Sequence, residues 1–184
     1  MKTVKIFFEK ALTLLLMVIG AVSLASCGDD DDVTEPTATV KKVEIIVNIE
    51  PTQDMLDYCK MTLVYTDDSG QSPQAYNVDK LSNKVLMATL TKFPVTGKVE
   101  LFCEPKEGVS FPAEKTMFSY QHKYNISFVK YYSNGKSQVI GSTGNTSLNP
   151  LNYPVDKMEQ WFSKYGQHKL HSFAFDASAM LSMN

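Results

Sequence analysis

The chain has 184 residues, of which 18 are basic and 20 are acidic, so its formal net charge is −2 at neutral pH. Every basic residue is a lysine, and the sequence contains no arginine. Arginine is the side chain that best suits bidentate contacts with phosphates and base edges. A nearly neutral chain without arginine therefore argues against nucleic-acid binding, whereas a hydrophobic content of 43% is sufficient for a buried core.

The first 26 residues have the pattern of an export signal. Lys2, Lys5 and Lys10 form a basic start, and a mostly apolar run of 14 residues follows from Ala11 to Leu24. A membrane-spanning helix needs about 20 residues. Because the run is shorter, residues 1–26 are predicted to be a signal peptide that is removed, and a permanent membrane span is the weaker alternative.

The end of this signal carries a family resemblance. Leu24-Ala25-Ser26-Cys27 resembles the lipobox of bacterial lipoproteins. The resemblance implies cleavage before Cys27 and acylation of its amine and thiol. Several acyl chains, at about 0.8 kcal/mol per buried methylene, would hold the protein on a membrane permanently. The alternative is an ordinary cleavage site that happens to lie beside a cysteine.

Four consecutive aspartates, Asp29 to Asp32, follow the predicted lipidation site. Together with Gly28 they resemble the export signal of Bacteroidota surface lipoproteins, which implies a location on the outer face of the outer membrane. The alternative is a solvated spacer in a lipoprotein that faces the periplasm. In either case, residues 27–38 are predicted to form the lipidated cysteine and a flexible acidic tether.

From residue 39 onward, short segments with strand-like alternation are separated by turns. Val43, Ile45, Val47 and Ile49 show the period of two that a strand with one buried face requires. The same period places Met87 and Ala88 on opposite faces of a later strand, and it predicts the inward faces of two others, which are Cys59, Met61, Leu63 and Tyr65, and Val99, Leu101 and Cys103. Asn134-Gly135 is the strongest short-range hairpin signal. Strands are predicted at 40–50, 55–66, 75–78, 84–92, 98–104, 124–132, 136–140 and 168–176, and residues 141–150 are predicted to be a loop.

The period changes to that of a helix near the C-terminus. Pro154 suits the first turn of a helix, and Gly166 is placed to end it. A helix is therefore predicted at about 154–165. Its apolar stripe, at positions i, i+3, i+4 and i+7, consists of Met158, Trp161, Phe162 and Tyr165.

Many short strands with one late helix predict an all-β fold. Residues 39–184 are expected to form a single β-sandwich domain with one C-terminal amphipathic helix. The stretch from Phe93 to Leu101, with Tyr124 to Phe128, is loosely similar to the immunoglobulin-like or transthyretin-like domains of Bacteroidota lipoproteins, including the fimbrillin group. That resemblance covers few residues and implies only the fold.

Enzyme motifs are missing from the sequence. It has no Gly-x-Ser-x-Gly elbow, no phosphate-binding glycine loop and no His-Glu-x-x-His pair. His168 and His171 are three residues apart, which on a strand would place them on opposite faces. Asp67 and Asp68 fit a plain turn better than a calcium loop. The sequence therefore predicts no catalytic residues, no cofactor and no bound metal.

Two cysteines lie within the predicted domain, and both fall in strand-like segments. Cys59 and Cys103 could form a disulfide, because export places the chain in a compartment that permits one. The alternative is two separate buried thiols that pack as small apolar residues. Sequence alone leaves both possibilities open, since the distance between the two residues is unknown.

Aromatic residues supply the candidate ligand site. Exposed rings can stack on sugar faces, so Trp161 with Tyr165 or Tyr132 is the candidate platform for a glycan. The alternative, which helical spacing favours, places Trp161 in the buried stripe of the predicted helix.

Two functions of different classes follow from this reading. The first is a non-catalytic cell-surface lipoprotein that recognises a glycan or a host ligand, which requires an exposed aromatic cluster. The alternative is a structural or accessory component of an envelope or fimbrial-type assembly, which requires an unpaired apolar edge or groove for a partner strand. In both cases the chain contacts the outer membrane through the lipid on Cys27.

Overall fold

The computed structural model describes residues 38–145 and 150–183, so the predicted signal peptide, Cys27 and the acidic run lie outside the described residues. The described part folds into strands with two short α-helices and one turn of 3-10 helix. In chain order the elements are β1 (Val40–Pro51), α1 (Gln53–Tyr58), β2 (Cys59–Asp67), β3 (Gln74–Asn77), β4 (Asn83–Leu90), β5 (Val95–Pro105), β6 (Met117–Tyr120), β7 (His122–Tyr132), β8 (Ser137–Asn145), β9 (Leu151–Pro154), the 3-10 turn (Val155–Lys157), α2 (Met158–Tyr165), β10 (Gln167–Phe175) and β11 (Leu181–Met183).

Alternating burial along β1 organises the first sheet. β1 pairs antiparallel with β4 on one side and with β7 on the other, and β8 extends the sheet beyond β7 to give the order β4-β1-β7-β8. The predicted inward face of β1 is confirmed. Its members, which have no exposed surface, are Val43, Ile45, Val47 and Ile49.

β5 lies at the centre of the second sheet. It pairs antiparallel with β10 and with β2, and the full order is β11-β10-β5-β2-β3. Alternation predicted the inward faces of β2 and β5, and this prediction is confirmed. The buried residues are Cys59, Met61, Leu63 and Tyr65 on β2, and Val99, Leu101 and Cys103 on β5.

Aromatic rings join the inner faces of the two sheets. The ring of Phe128 on β7 lies 5.1 Å from that of Phe173 and 5.8 Å from that of Phe175, both on β10. Gly97 pairs with Phe173, and a β carbon at Gly97 would come within 2.6 Å of that ring, so the position needs glycine. The predicted all-β sandwich is therefore confirmed.

The predicted C-terminal helix is confirmed from Val155 onward. It consists of the 3-10 turn followed by α2, whereas Pro154 is the last residue of β9. Met158 and Trp161 are buried, and Phe162 and Tyr165 are half-buried against the core, as an amphipathic stripe requires. The ring of Trp161 packs 5.3 Å from that of Phe118 on β6, which joins the helix to the β6–β9 ribbon.

One predicted strand begins with a helix instead. Residues 53–58 form α1, and β2 starts only at Cys59, so the prediction of a strand from Met55 is wrong. The hydroxyl oxygen of Thr52 accepts a hydrogen bond from the Met55 amide at 3.4 Å, which caps the first turn. The same hydroxyl donates to the carbonyl oxygen of Ser119 at 2.6 Å, so a contact distant in sequence helps to hold the cap.

The predicted alternation of β4 fails at a β-bulge. Ala88 pairs with Ile45 and Leu86 pairs with Ile46, which leaves Met87 as the extra residue. As a result Met87 and Ala88 are both buried, although they are neighbours in sequence. Side chains therefore change faces within this strand.

β8 is longer than the sequence predicts. Residues 141–145 pair regularly with β7, so the prediction of a loop from Gly141 is wrong. Glycine, serine and threonine dominate this segment, and such a composition favours turns or irregular structure. Pairing with the long neighbouring strand β7 outweighs this weak local preference.

Candidate functional site

Trp161 belongs to the hydrophobic core. Its side chain has 0% exposed surface, and the rings of Phe118, Tyr120 and Phe162 lie 5.2 to 5.3 Å from it. A ring without exposed surface cannot stack on a sugar. The hypothesis of a glycan platform on Trp161 is therefore wrong, and the alternative of a buried helical stripe is correct.

The other two aromatic residues of the predicted platform lie in different places. Tyr165 is half-buried, and its ring lies 6.4 Å from that of Trp161. Tyr132 ends β7, whereas His122, at the start of β7, packs beside Tyr120 next to Trp161. Ten residues of strand span about 33 Å. Tyr132 therefore cannot join the other two rings in one platform.

Cys59 and Cys103 are free, buried thiols. Cys59 pairs with Pro105, and Cys103 pairs with Met61, so the two cysteines are diagonal neighbours on adjacent strands. Diagonal neighbours are about 7–8 Å apart, beyond the usual span of a disulfide. Burial raises the pKa of the Cys59 thiol to about 12 and also raises that of Cys103. The structure agrees with the alternative of two separate thiols and not with a disulfide.

A second β-bulge determines where the histidines of β10 lie. Lys169 pairs with Glu100 and His171 pairs with Val99, so Leu170 is the extra residue. His168 lies opposite Leu101, and both Val99 and Leu101 are on the buried face of β5. His168 and His171 therefore share the inner face of the sheet, and the prediction of opposite faces is wrong.

Four buried ring nitrogens have no hydrogen-bond partner within the described part of the chain. They are Nδ1 of His122, Nε2 of His168, Nε2 of His171 and Nε1 of Trp161. Burial and, to a smaller extent, the neighbouring His168 together lower the pKa of His122 to about 4. Burial also lowers the pKa of His168, although a hydrogen bond to the backbone of Tyr165 opposes this effect. Both imidazoles are therefore neutral at pH 7.

Across residues 38–145 and 150–183, no three His, Cys, Asp or Glu side chains come together as a set of metal ligands. His122 and His168 contact each other but gain no third ligand of these types. The features that the two histidines do show are aromatic packing and ring nitrogens without a hydrogen-bond partner among the described residues.

A cleft of about 540 Å³ opens where α1 meets β2 and the end of β5. Leu56, Met61 and Val78 form its apolar wall. On its rim, Lys60 and Glu104 form an exposed ion pair with an N–O distance of 3.5 Å. Because the rim carries charges of both signs, the cleft does not select one charge class of ligand.

The outer edges of the two sheets differ in how they are protected. β3 and β11 are only four and three residues long, and β4 carries Lys84 and the bulge at Met87. Short length, lysine and bulges are the usual devices that stop an edge strand from pairing with another chain. Three of the four edges therefore have a recognisable protection.

β8 is the least protected of these edges. It is nine residues long, contains no charged residue and no proline, and no described strand pairs with its outer side. A bulge at Ile140 interrupts the strand, but residues 141–145 then pair regularly with β7. Along residues 141–144, no described strand pairs with the side of the backbone that faces away from β7, and such a side can accept another strand.

Apolar side chains flank the outer edge of β8. The side chain of Val139 is 60% exposed and that of Met183 on β11 is 44% exposed. β11 lies close beside β8, because a β carbon placed on Gly141 would be 2.5 Å from Cδ2 of Leu181 and 3.6 Å from Sδ of Met183. We call β8 with Val139, Leu181 and Met183 the β8 edge.

Sequence reasoning missed the second half of the β8 edge, because residues 141–145 were predicted to be a loop. The signal that could have found it is the uncharged run that begins at Ser137, just after the Asn134-Gly135 turn and Lys136, and continues beyond residue 145. A hairpin partner for β7 could extend as far as β7 itself does.

Comparison with known proteins gives no relative for this chain. No protein-family model matches it, and neither the curated proteins nor the solved structures contain a significant match. Among the described residues, no helix is long and apolar enough to cross a membrane. The function must therefore be argued from the residues of this chain alone.

Proposed function

We propose that the chain is a non-catalytic lipoprotein of the outer membrane, anchored through Cys27 and facing the cell exterior. It serves as a structural or accessory component of an envelope assembly, and its β-sandwich docks an extended strand of a partner protein along the β8 edge. The anchor and the location rest on the sequence around Cys27 and on the acidic run that follows. The docking function rests on the geometry of β8.

One observation carries the docking function: β8 is a nine-residue edge without a charged residue, whereas the other edges of the two large sheets are short (β3 and β11) or bear a lysine (β4). A strand added beside β8 would make main-chain hydrogen bonds, each worth about 0.5–1.5 kcal/mol net. It would also cover Val139 and Met183, whose side chains are now exposed. In strand addition, main-chain hydrogen bonds give affinity and side-chain contacts give specificity.

The chemistry of the β8 edge defines the partner strand. Val139 and Ser142 pair with the outward-facing Val129 and Ser127 of β7, so they face the same side of the sheet. A charged residue in the partner would find no opposite charge on β8. The strand that fits is therefore uncharged and carries an aliphatic residue beside Val139.

Recognition of a glycan through Trp161, Tyr165 and Tyr132 loses its physical basis because Trp161 has no exposed surface. The first functional hypothesis requires an exposed aromatic cluster, and the buried Trp161 cannot be part of one. The β8 edge instead supplies the unpaired apolar edge that the alternative hypothesis requires.

The test is the size of the complex that contains the full chain after gentle detergent extraction, measured by blue native electrophoresis. The wild-type chain should migrate in a complex larger than the single chain. Val139→Lys places a charge on the edge and should release the single chain. Leu86→Lys is the matched control because Leu86 is also an exposed aliphatic residue on an edge strand, β4, of the same sheet.

The control variant should keep the large complex. Migration of the wild-type chain as a single chain would contradict the proposal, and so would equal loss of the complex in both variants.

A further inference from the structure

A shallow depression lies on the outer face of the first sheet, away from the edge of β8. Its volume is about 190 Å³. Typical pockets for drug-sized ligands have volumes of roughly 300–1,000 Å³, so this one offers room for a smaller ligand. We call it the asparagine depression, and its lining residues are Asn48, Glu50, Lys123, Tyr124, Asn125 and Asn145.

Strand register explains why a depression forms there. Asn48 on β1 lies directly opposite Asn125 on β7, and Asn125 lies opposite Gly144 on β8. A side chain at Gly144 is excluded, because its β carbon would collide with the carbonyl oxygen of Tyr124. Asn48 and Asn125 therefore present neighbouring amides beside a position on β8 that has no side chain.

The amide of Asn125 is held in one orientation by two hydrogen bonds. Its Nδ2 donates to Oγ of Ser142 at 2.7 Å, and its Oδ1 accepts from Oγ of Ser127 at 2.9 Å. A carboxamide has two N–H donors and two acceptor lone pairs. One donor and one acceptor of Asn125 therefore remain for a ligand, and their directions are set before any ligand arrives.

We propose that the asparagine depression binds one sugar unit of a neutral glycan through its hydroxyl groups. A hydroxyl both donates and accepts hydrogen bonds, so two neighbouring hydroxyls of a sugar ring match the remaining donor and acceptor of Asn125. Asn48 presents a second amide from the next strand. This is a site on the face of the sheet, and it does not depend on strand docking at the β8 edge.

Charge favours a neutral sugar. Glu50 lies opposite Lys123 in register at the rim, so the depression carries one negative and one positive side chain. Glu50 can accept a hydrogen bond from a hydroxyl and Lys123 can donate one. A uronic acid or a sulfated sugar would gain from Lys123 but be repelled by Glu50, whereas a neutral sugar would use both groups.

Affinity electrophoresis of the detergent-extracted full chain tests this site. The gels contain dextran, starch, mannan or xylan as neutral probes, and polygalacturonate as the charged probe. We expect retardation by at least one neutral polymer and none by polygalacturonate. Asn125→Ala should weaken the retardation at least tenfold, and Asn48→Ala should weaken it as a second, independent variant.

Thr89→Ala is the matched control. Thr89 is exposed on β4 and pairs with the outward-facing Glu44, so the variant removes a polar group from the same sheet face but outside the depression. It should leave retardation unchanged. A normal thermal unfolding midpoint verifies that each variant is folded.

Three results would overturn the inference. The first is the absence of retardation by every neutral polymer, and the second is retardation by polygalacturonate alone. The third is retardation that neither Asn125→Ala nor Asn48→Ala changes. Because strand docking is measured by the size of the complex, failure of the glycan site leaves that proposal standing, and failure of docking leaves the glycan site standing.

Discussion

The imidazole rings of His122 and His168 lie 4.9 Å apart between the two sheets, with their planes at 55° to each other. The rings of Tyr120, Tyr124 and Tyr165 surround the pair, and each histidine has a buried nitrogen without a partner. Within the described part of the chain, no carboxylate forms a hydrogen bond or an ion pair with either imidazole. The pair therefore favours the neutral state of both imidazoles.

Acid should destabilise the fold through His122. Its pKa is lowered to about 4 by burial and by His168, whereas an unfolded chain protonates histidine near its ordinary value of 6.5. The unfolded state binds more protons between these values, so stability is full above pH 6.5 and falls as the pH decreases toward 4. The expected loss in the free energy of unfolding is up to about 3 kcal/mol, measured by urea denaturation at each pH.

The matched variant for this prediction is His122→Phe, which keeps an aromatic ring and removes the titrating group. Its free energy of unfolding should change much less between pH 6.5 and pH 5. An identical pH slope in the wild-type chain and the variant would show that other groups cause the acid sensitivity.

Replacement of Trp161 should weaken the core. Trp161→Ala removes a side chain with 0% exposure and three close ring neighbours, and the expected cost is about 3–5 kcal/mol. Trp161→Phe should cost less, because it keeps an aromatic ring and also removes the unpartnered Nε1–H. In the wild-type chain, iodide should barely quench the tryptophan fluorescence. Quenching as strong as that of free tryptophan would show that the ring is exposed.

Thiol labelling should separate the folded from the unfolded chain. Cys59 and Cys103 are buried thiols with raised pKa values, so a disulfide reagent should not react with them at pH 8 in the native protein. In a Cys27→Ala chain unfolded in urea, both thiols should react. Absence of reactive thiols after unfolding would indicate that the two cysteines are linked.

Gly97→Ala should destabilise the sandwich by about 1–3 kcal/mol, because the new methyl group meets the Phe173 ring at 2.6 Å and the carbonyl oxygen of Thr66 at 3.1 Å. Gly141→Ala is the comparison variant, since the three atoms nearest to its methyl group belong to the movable ends of Leu181 and Met183. Thermal unfolding should show the larger decrease for Gly97→Ala. Equal decreases would contradict the described packing of Phe173.

The sequence predicted the elements in which one regular period decides the structure. Alternation identified the inward faces of β1, β2 and β5, and helical spacing identified α2 with Trp161 on its buried stripe. The errors occur where a contact distant in sequence determines the local structure. Thr52, which caps α1, bonds to Ser119, and the extra residues Met87 and Leu170 depend on how β4 and β10 align with their neighbours.

The candidate sites were harder to predict for the same reason. Asn48 and Asn125 become neighbours only because β1 pairs with β7, a pairing across 77 positions that composition and spacing do not reveal. The exposed edge of β8 likewise depends on its being last in the sheet order. The candidate platform required Tyr132 to lie near Trp161 and Tyr165. Tyr132 is instead at the far end of β7 from these two residues.

The most direct measurement of the central claim is site-specific photo-crosslinking in intact cells. A benzophenone amino acid replaces Val139 on β8 in the full chain, and the same group replaces Leu86 on β4 as the control. Strand docking at the β8 edge predicts one discrete adduct at position 139 and none at position 86. Absence of an adduct at position 139, or the same adducts at both positions, would contradict it.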